Sequence, residues 1–407
     1  MDQNIQGSAD AEFRHQPLNL SREEIRLLQL LPSRGDDVVR CTLEHYEFND
    51  HMPQHRALSY VWGKPTRLCQ IQINERWFRV YPNLYDFLNM YHARVERPEH
   101  IWIDQICIDQ SSDAEKSKQI GFMARIFKKT DNVICWLGRE TAHGLLAMKL
   151  FNYARQHTEV ARQEWHEIIL QAFGRDGSGN LPLLSIEKRE SLATSALSSF
   201  ESNEYWSRLW VAQEVILAHN AVVFWGSSTT SLGRIRFFMD LQVTQPLVKS
   251  SPTPPLLYLL YRNERTPFDR PGSMMEAVTF LHEAGCSNPR DKVYAILSII
   301  DPMYTIVVDY KKPVEEVLFD AMAAMVRRDL EPDPSEQTVR LVVQASFMLA
   351  TQMLPERLER IERAKISAFM HACISKMLKP ASGTTAIDAS FGHFEESLQS
   401  LLAQHDC

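Results

Sequence analysis

Two rhythms of apolar and polar positions run along this chain. "LCQIQINERWFRVYP" (68–82) alternates on both sides of Asn74-Glu75, the pattern of a β-hairpin. After Pro82, "LYDFLNMYHARV" places apolar side chains at 84, 87, 88 and 91, one face of a helix. Unbroken apolar runs predict strands buried on both faces at 57–60, 101–106, 133–137 and 222–225. Between them, "SSDAEKSKQIGFMARIFKKT" (111–130) reads as a helix. Its Ser112 and Glu115 have capping-box spacing, and Lys128 and Lys129 suit its C-terminal dipole. "LSREEIRLLQLLP" (20–32) stays open between a strand and a helix started by Ser21 and Glu24. A further helix is expected at about 204–218. Strands alternating with helices predict an α/β fold: a mainly parallel sheet flanked by helices. Residues 141–200 read as a helical insertion and 313–378 as helices of a C-terminal part.

The boundaries follow from breaks in that pattern. Residues 1–17 are polar and patternless, which predicts a disordered tail. A main domain is expected over 18–310, with its core at 55–226, and a helical region over 311–407. "SSPTPP" (250–255) is a flexible break, and no internal repeat is visible.

Composition removes several function classes. The chain has 407 residues, long enough for two or three domains. Its 44 Lys and Arg against 51 Asp and Glu give a net charge of -7, without the basic face that nucleic-acid binding needs. Seven cysteines, far apart and without a C-x-x-C pair, are the usage of a reduced compartment and predict a cytoplasmic protein. No N-terminal apolar segment suggests secretion, and no run nears the roughly 20 residues of a membrane span.

The familiar catalytic signatures are missing: no Walker loop, no dinucleotide fingerprint, no zinc-protease helix. "GRDGSG" (174–179) follows a helical stretch, so a helix stop explains it better than phosphate binding. His51 and His55 are split by Pro53 and lack a third ligand, so no metal is expected. Asp104 and Asp109 are a candidate carboxylate pair at a strand's carboxyl end, weighed against turn capping. Glu115 reads as a capping residue. In "NEYWSRLWVAQEVILA" (203–218), Trp206, Leu209, Trp210, Gln213, Ile216 and Leu217 share a helix face, with Glu214 at its margin one turn beyond Trp210. Periodicity alone favours a solvated glutamate there.

Taken in order, "ALSYVWG", "IWIDQICIDQ", the helix and strand that follow it, "YWSRLWVAQEVILA" and "SNPRDKVYAILSI" resemble the blocks of the fungal heterokaryon incompatibility (HET) domain family, over roughly 25–310. Lys64 stands where an acid often follows the Trp-Gly of that family. The HET family in turn resembles Toll/interleukin-1 receptor (TIR) domains, which implies a TIR-like, flavodoxin-like sheet. "LSY" (58–60) is similar to the end of the first TIR strand, and "SRLWVAQEV" (207–215) to a TIR helix motif. Trp210 and Glu214 keep that motif's spacing, while Ser207, Val211 and Val215 depart from it. The resemblance implies a catalytic role for Glu214 in cleaving the nicotinamide–ribose bond of NAD, as substrate rather than cofactor. Ser59, Tyr60, Trp62, Gly63, Asp104 and Trp210 become the expected substrate-binding residues.

Three functions stay open on these grounds. The first is non-self recognition leading to cell death, through NAD consumption. The second is a non-catalytic signalling module that self-assembles. The third is a diverged family member in a fungal metabolite pathway. A homo-oligomer is expected, with an allelic or non-allelic protein as a further partner.

Overall fold

The computed structural model describes residues 12–36, 38–64, 66–153, 185–244, 272–330 and 336–355. Contacts divide the chain into two units, one of residues 1–206 with 214–264, the other of 207–213 with 265–407.

The first unit is built on one sheet of nine strands. In chain order these are β1 (Glu24–Leu30), β2 (Arg40–Glu47), β3 (Arg56–Tyr60), β4 (Cys69–Ile73), β5 (Arg76–Val80), β6 (Glu99–Trp102), β7 (Asn132–Trp136), β8 (Ala221–Trp225) and β9 (Ser228–Ser231). They lie side by side as β5-β4-β2-β1-β6-β3-β7-β8-β9. The run β6-β3-β7-β8 is parallel throughout, and it contains the four apolar segments expected to be central strands. The sheet as a whole is mixed, which corrects the expectation of a mainly parallel one. β1 pairs antiparallel with both β2 and β6, and hairpins close each edge at β4-β5 and β8-β9. Tight hairpins reverse the chain in a few residues, whereas parallel neighbours need a long crossover. The open reading of "IRLLQL" resolves as a strand, because β1 lies between two partners and buries Ile25, Leu27, Leu28 and Leu30. Ser21 does not cap a helix; its hydroxyl donates to Asn19 in a turn.

Two crossover helices cover opposite faces of the parallel run. Helix α1 (Pro82–His92) starts on Pro82, whose fixed φ suits a first turn. It sets Phe87 against Trp136 and Tyr91 against Phe224. The next helical piece, α2 (Asp104–Cys107), is a single turn directly after β6. Helix α3 (Asp113–Lys129) lies on the other face, with Phe127 edge-on to Trp102. Strand alternation makes this division: Tyr60, Trp136 and Phe224 point one way, and Ala57, Ser59 and Cys135 the other. The apolar run 101–106 is therefore a strand only to Trp102. Beyond it, amides of Ile106 and Cys107 bond to the Ile103 carbonyl, while an Asp104 oxygen accepts the Gln105 amide at 2.7 Å. A carboxylate at the start of a turn favours helical backbone.

Within the stretch expected to be a helical insertion, α4 (Ala142–Tyr153) and α5 (Ile186–Glu201) are helices; residues 154–184, with the "GRDGSG" loop, lie outside the described residues. Helix α7 (Leu232–Thr244) follows β9, and the "SSPTPP" break is not among the described residues.

Gly226 begins the two-residue turn between β8 and β9 with φ +56. Its amide donates to the Gly138 carbonyl at 2.8 Å. A Cβ placed there would meet the Glu140 backbone, 2.7 Å from N and 2.8 Å from Cα. Gly226→Ala is therefore expected to cost at least about 2 kcal/mol, from left-handed strain plus a contact with main chain that cannot swing away. Urea unfolding checks this; a loss below about 0.5 kcal/mol, the range of an ordinary surface substitution, would contradict it.

The expected helix at 204–218 is broken. Glu204–Ser207 form a 3-10 turn, and α6 (Leu209–Ile216) begins after Arg208. The break has a tertiary cause: Gly285 exchanges hydrogen bonds with Ser207 and Leu209, its amide donating at 2.6 Å and its carbonyl accepting at 2.9 Å. That bridge belongs to the second unit, which is helical among its described residues. It holds α8 (Met274–Leu281), α9 (Asp291–Tyr294), α10 (Val314–Met325) with a π turn at Val326–Leu330, and α11 (Glu336–Met353). Helices expected beyond residue 355 lie outside the described residues.

Candidate functional site

The carboxyl end of β3 presents two side chains to opposite faces of the sheet. Ser59 points to the face shared with Cys135, its register partner on β7. There the Ser59 hydroxyl donates to the Glu214 carboxylate and lies 2.7 Å from the Tyr205 hydroxyl. Tyr205 also hydrogen-bonds the Cys135 thiol. All four groups are buried, with Ser59 1 % and Glu214 4 % exposed. Burial pushes the Cys135 thiol up to about 12; the Tyr205 contact offsets this in part and the Glu214 charge adds to it. Burial also raises the Tyr205 hydroxyl well above its ordinary value, with Cys135 and Glu214 acting in the same direction. Both stay protonated at neutral pH and serve as donors.

Tyr60 turns to the other face, where its hydroxyl reaches the Gln105 amide oxygen at 3.4 Å. Just past the strand, Trp62 donates its indole N–H to Asp104 at 2.7 Å and meets the Tyr81 ring edge-on, with centroids 5.8 Å apart. Gly63 follows with φ +74, a left-handed turn that glycine takes without strain, and is exposed. Asn83 at the start of α1 ties these strand ends together, donating to the Val61 carbonyl at 2.6 Å and accepting from the Trp136 indole at 2.9 Å. Trp62 and Asp104, half-buried, thus form one cluster, and Ser59 with Glu214 another. Trp210 groups with neither: its indole donates to Asp291 at 3.1 Å within the second unit. Asp291, which also accepts from Tyr310 at 2.5 Å, is raised by burial despite those bonds.

Asp109 does not pair with Asp104. It accepts from the Ser111 amide at 3.0 Å and hydroxyl at 2.6 Å, a turn-capping role. Ser112 caps α3 as its spacing suggests, accepting the Glu115 amide at 3.3 Å. The reciprocal half of the capping box is absent. Glu115 instead forms a buried ion pair with Arg26, at 2.5 Å, and accepts the Asp109 amide at 2.7 Å.

Sequence reasoning missed Tyr205 and Cys135. The alternation in "NVICW" does put Cys135 on one face, but only the β3–β7 register places that face beside Ser59. Tyr205 lay within the recognised block, yet helical periodicity directed attention to Trp206 and Trp210 instead. Among the described residues there is no group of three or more His, Cys, Asp or Glu side chains able to hold a metal, and no helix long and apolar enough to cross a membrane.

The family model described as heterokaryon incompatibility protein (HET) matches residues 55–214, from the start of β3 to Glu214 itself. A Neurospora crassa protein, heterokaryon incompatibility protein 6 (OR allele), is 37% identical over 128 residues, 28% of this chain. The match spans only 18% of that relative's length. No solved structure matches the chain significantly. The two ends of the matched segment carry the residues that meet, Ser59 and Glu214, and over residues 55–214 the chain is similar to the heterokaryon incompatibility (HET) family.

Proposed function

We propose that this chain acts in non-self recognition and triggers cell death by cleaving NAD at the nicotinamide–ribose bond, with Glu214 as the catalytic carboxylate. The observation that carries the reading is the hydrogen bond from Ser59 to Glu214, which fixes a buried carboxylate at the end of a parallel strand. The strand order β6-β3-β7-β8 supports it. Numbered along the chain, this core runs second-first-third-fourth, the flavodoxin-like order in which ligands bind outside the carboxyl ends of strands.

The chemistry suits a lone carboxylate. Nicotinamide in NAD is already a cation, so the C–N bond breaks with its electron pair leaving on the ring nitrogen, and little acid assistance is needed. Positive charge develops on the ribose, where a fixed negative group contributes most in a dry site. Water then adds to the anomeric carbon and gives up a proton. The Trp62 and Tyr81 rings, with Asp104 beside them, offer an aromatic wall and a hydroxyl acceptor at the strand ends. NAD turnover by the purified protein, with growth arrest on expression, is the test.

A second reading draws on the same burial. A glutamate only 4 % exposed and already hydrogen-bonded also suits a polar core network in a non-catalytic module that signals by self-assembly. The two readings share one expectation. A closed carboxylate keeps the resting protein silent, so activity of either kind should rise with self-association. Light scattering across about a hundredfold concentration range, read beside activity, checks this. A strictly monomeric protein with full activity would contradict it.

A further inference from the structure

We infer, on the basis of that reading, that Tyr205 is a positioning residue: it fixes the direction of the Ser59 proton and thereby the setting of Glu214. The argument is one of donors and acceptors. A serine hydroxyl has a single proton, and Ser59 gives it to the Glu214 carboxylate. The Tyr205 oxygen, 2.7 Å from Ser59 Oγ, must then be the donor in the second bond. The Cys135 thiol lies beside the same Tyr205 hydroxyl. The chain of bonds therefore runs one way, from Tyr205 through Ser59 to Glu214. Each donor polarises the next, and all of the groups are buried.

Tyr205 is itself held firmly. It is fully buried, and its amide donates to the Asn203 side chain at 3.0 Å. Asn203 in turn donates to the Leu137 carbonyl just after β7, at 3.1 Å. The ring lies edge-on to Trp206 with centroids 4.8 Å apart. A donor anchored to the same strand end as Cys135 restricts the Ser59 hydroxyl to the rotamer that faces Glu214. Without it, that hydroxyl is free to leave the carboxylate for another staggered position.

The test uses Tyr205→Phe, which removes one oxygen and keeps the ring. In the full-length protein, kcat for NAD cleavage should fall about tenfold with KM unchanged, the scale of one neutral hydrogen bond. In a Ser59→Ala background the same substitution should have no further effect, because Tyr205 acts only through Ser59. A tyrosine that merely supports the core would lower kcat equally in both backgrounds, and that result would overturn the inference. A second arm does not depend on turnover. Denaturation cycles should show coupling between Tyr205→Phe and Glu214→Gln when Ser59 is present, and none in Ser59→Ala. Coupling that survives the loss of Ser59, or no coupling at all, would sink the relay. Absence of NAD cleavage by the wild type would instead defeat the catalytic reading, and the denaturation cycles would then decide the relay alone.

Discussion

Glu214→Gln is expected to lower NAD cleavage and cellular toxicity by about 10²-fold or more while leaving the fold intact, the scale of losing one preorganised electrostatic group. Amide and carboxylate have nearly the same shape, so the packing around a side chain only 4 % exposed is kept. What changes is the charge, and an amide still offers an oxygen to the Ser59 hydroxyl. Ser59→Ala and Asp104→Ala should weaken activity less sharply, since they remove groups that orient or line the site rather than the charge itself. Circular dichroism and a melting curve must accompany each assay, because a misfolded variant imitates lost catalysis. Full toxicity in a folded Glu214→Gln protein would end the catalytic reading in favour of the self-assembling module.

The largest stability loss is expected at Arg26. This guanidinium is 1 % exposed and donates to both Glu115 oxygens, at 2.5 and 3.0 Å, and to the carbonyls of Cys107 and Gln16, at 2.9 and 2.5 Å. Arg26→Met leaves Glu115, itself 3 % exposed, as a buried charge with its main partner gone. Breaking a buried pair from one side costs about 3–5 kcal/mol, whereas replacing both partners by apolar groups costs much less. Urea unfolding should therefore show a large loss for Arg26→Met and a partial recovery for Arg26→Met/Glu115→Leu. Equal losses in the single and double variants would show that packing, not charge, dominates. The pH dependence has a defined sign. Burial alone would raise the Glu115 carboxyl, but the Arg26 and Asp109 donors outweigh it and hold it below the ordinary 4.5. The pair's contribution is thus complete above pH 4.5 and is lost as pH falls through the depressed folded value. His45, which accepts the Arg26 Nε at 3.3 Å, is lowered by burial first and by Arg26 next, so it too favours the folded state at higher pH. Arg26→Met should flatten this acid-side loss.

Elements that depend on local rules were legible. Asn74-Glu75 turns with φ 49 and 64, as a tight hairpin requires, and the alternating segments on each side pair as β4 and β5. Pro82 opens α1, Ser112 caps α3, and the four long apolar runs all supply strands of the parallel core. The family blocks were visible for the same reason: they are short, contiguous and rich in tryptophan. At the site, Ser59 and Glu214 were both named from sequence, and they meet across 155 positions.

What sequence alone determined is the alternation of strands and helices in the core, the burial of the central strands and the likeness to the HET family, because periodicity, caps and contiguous motifs are properties of neighbours along the chain. Tertiary structure alone decided the rest. The parity of β3 sends Ser59 and Tyr60 to opposite faces, and the β3–β7 register brings Cys135 beside Ser59. A bridge to Gly285 breaks the expected helix at Arg208 and leaves Tyr205 in a 3-10 turn, where its hydroxyl meets Ser59. Arg26 claims the carboxylate of Glu115 that local spacing had assigned to a capping box. In each case the deciding partner lies far away in sequence, and the geometry that joins them is set by strand register and packing, which local pattern does not encode.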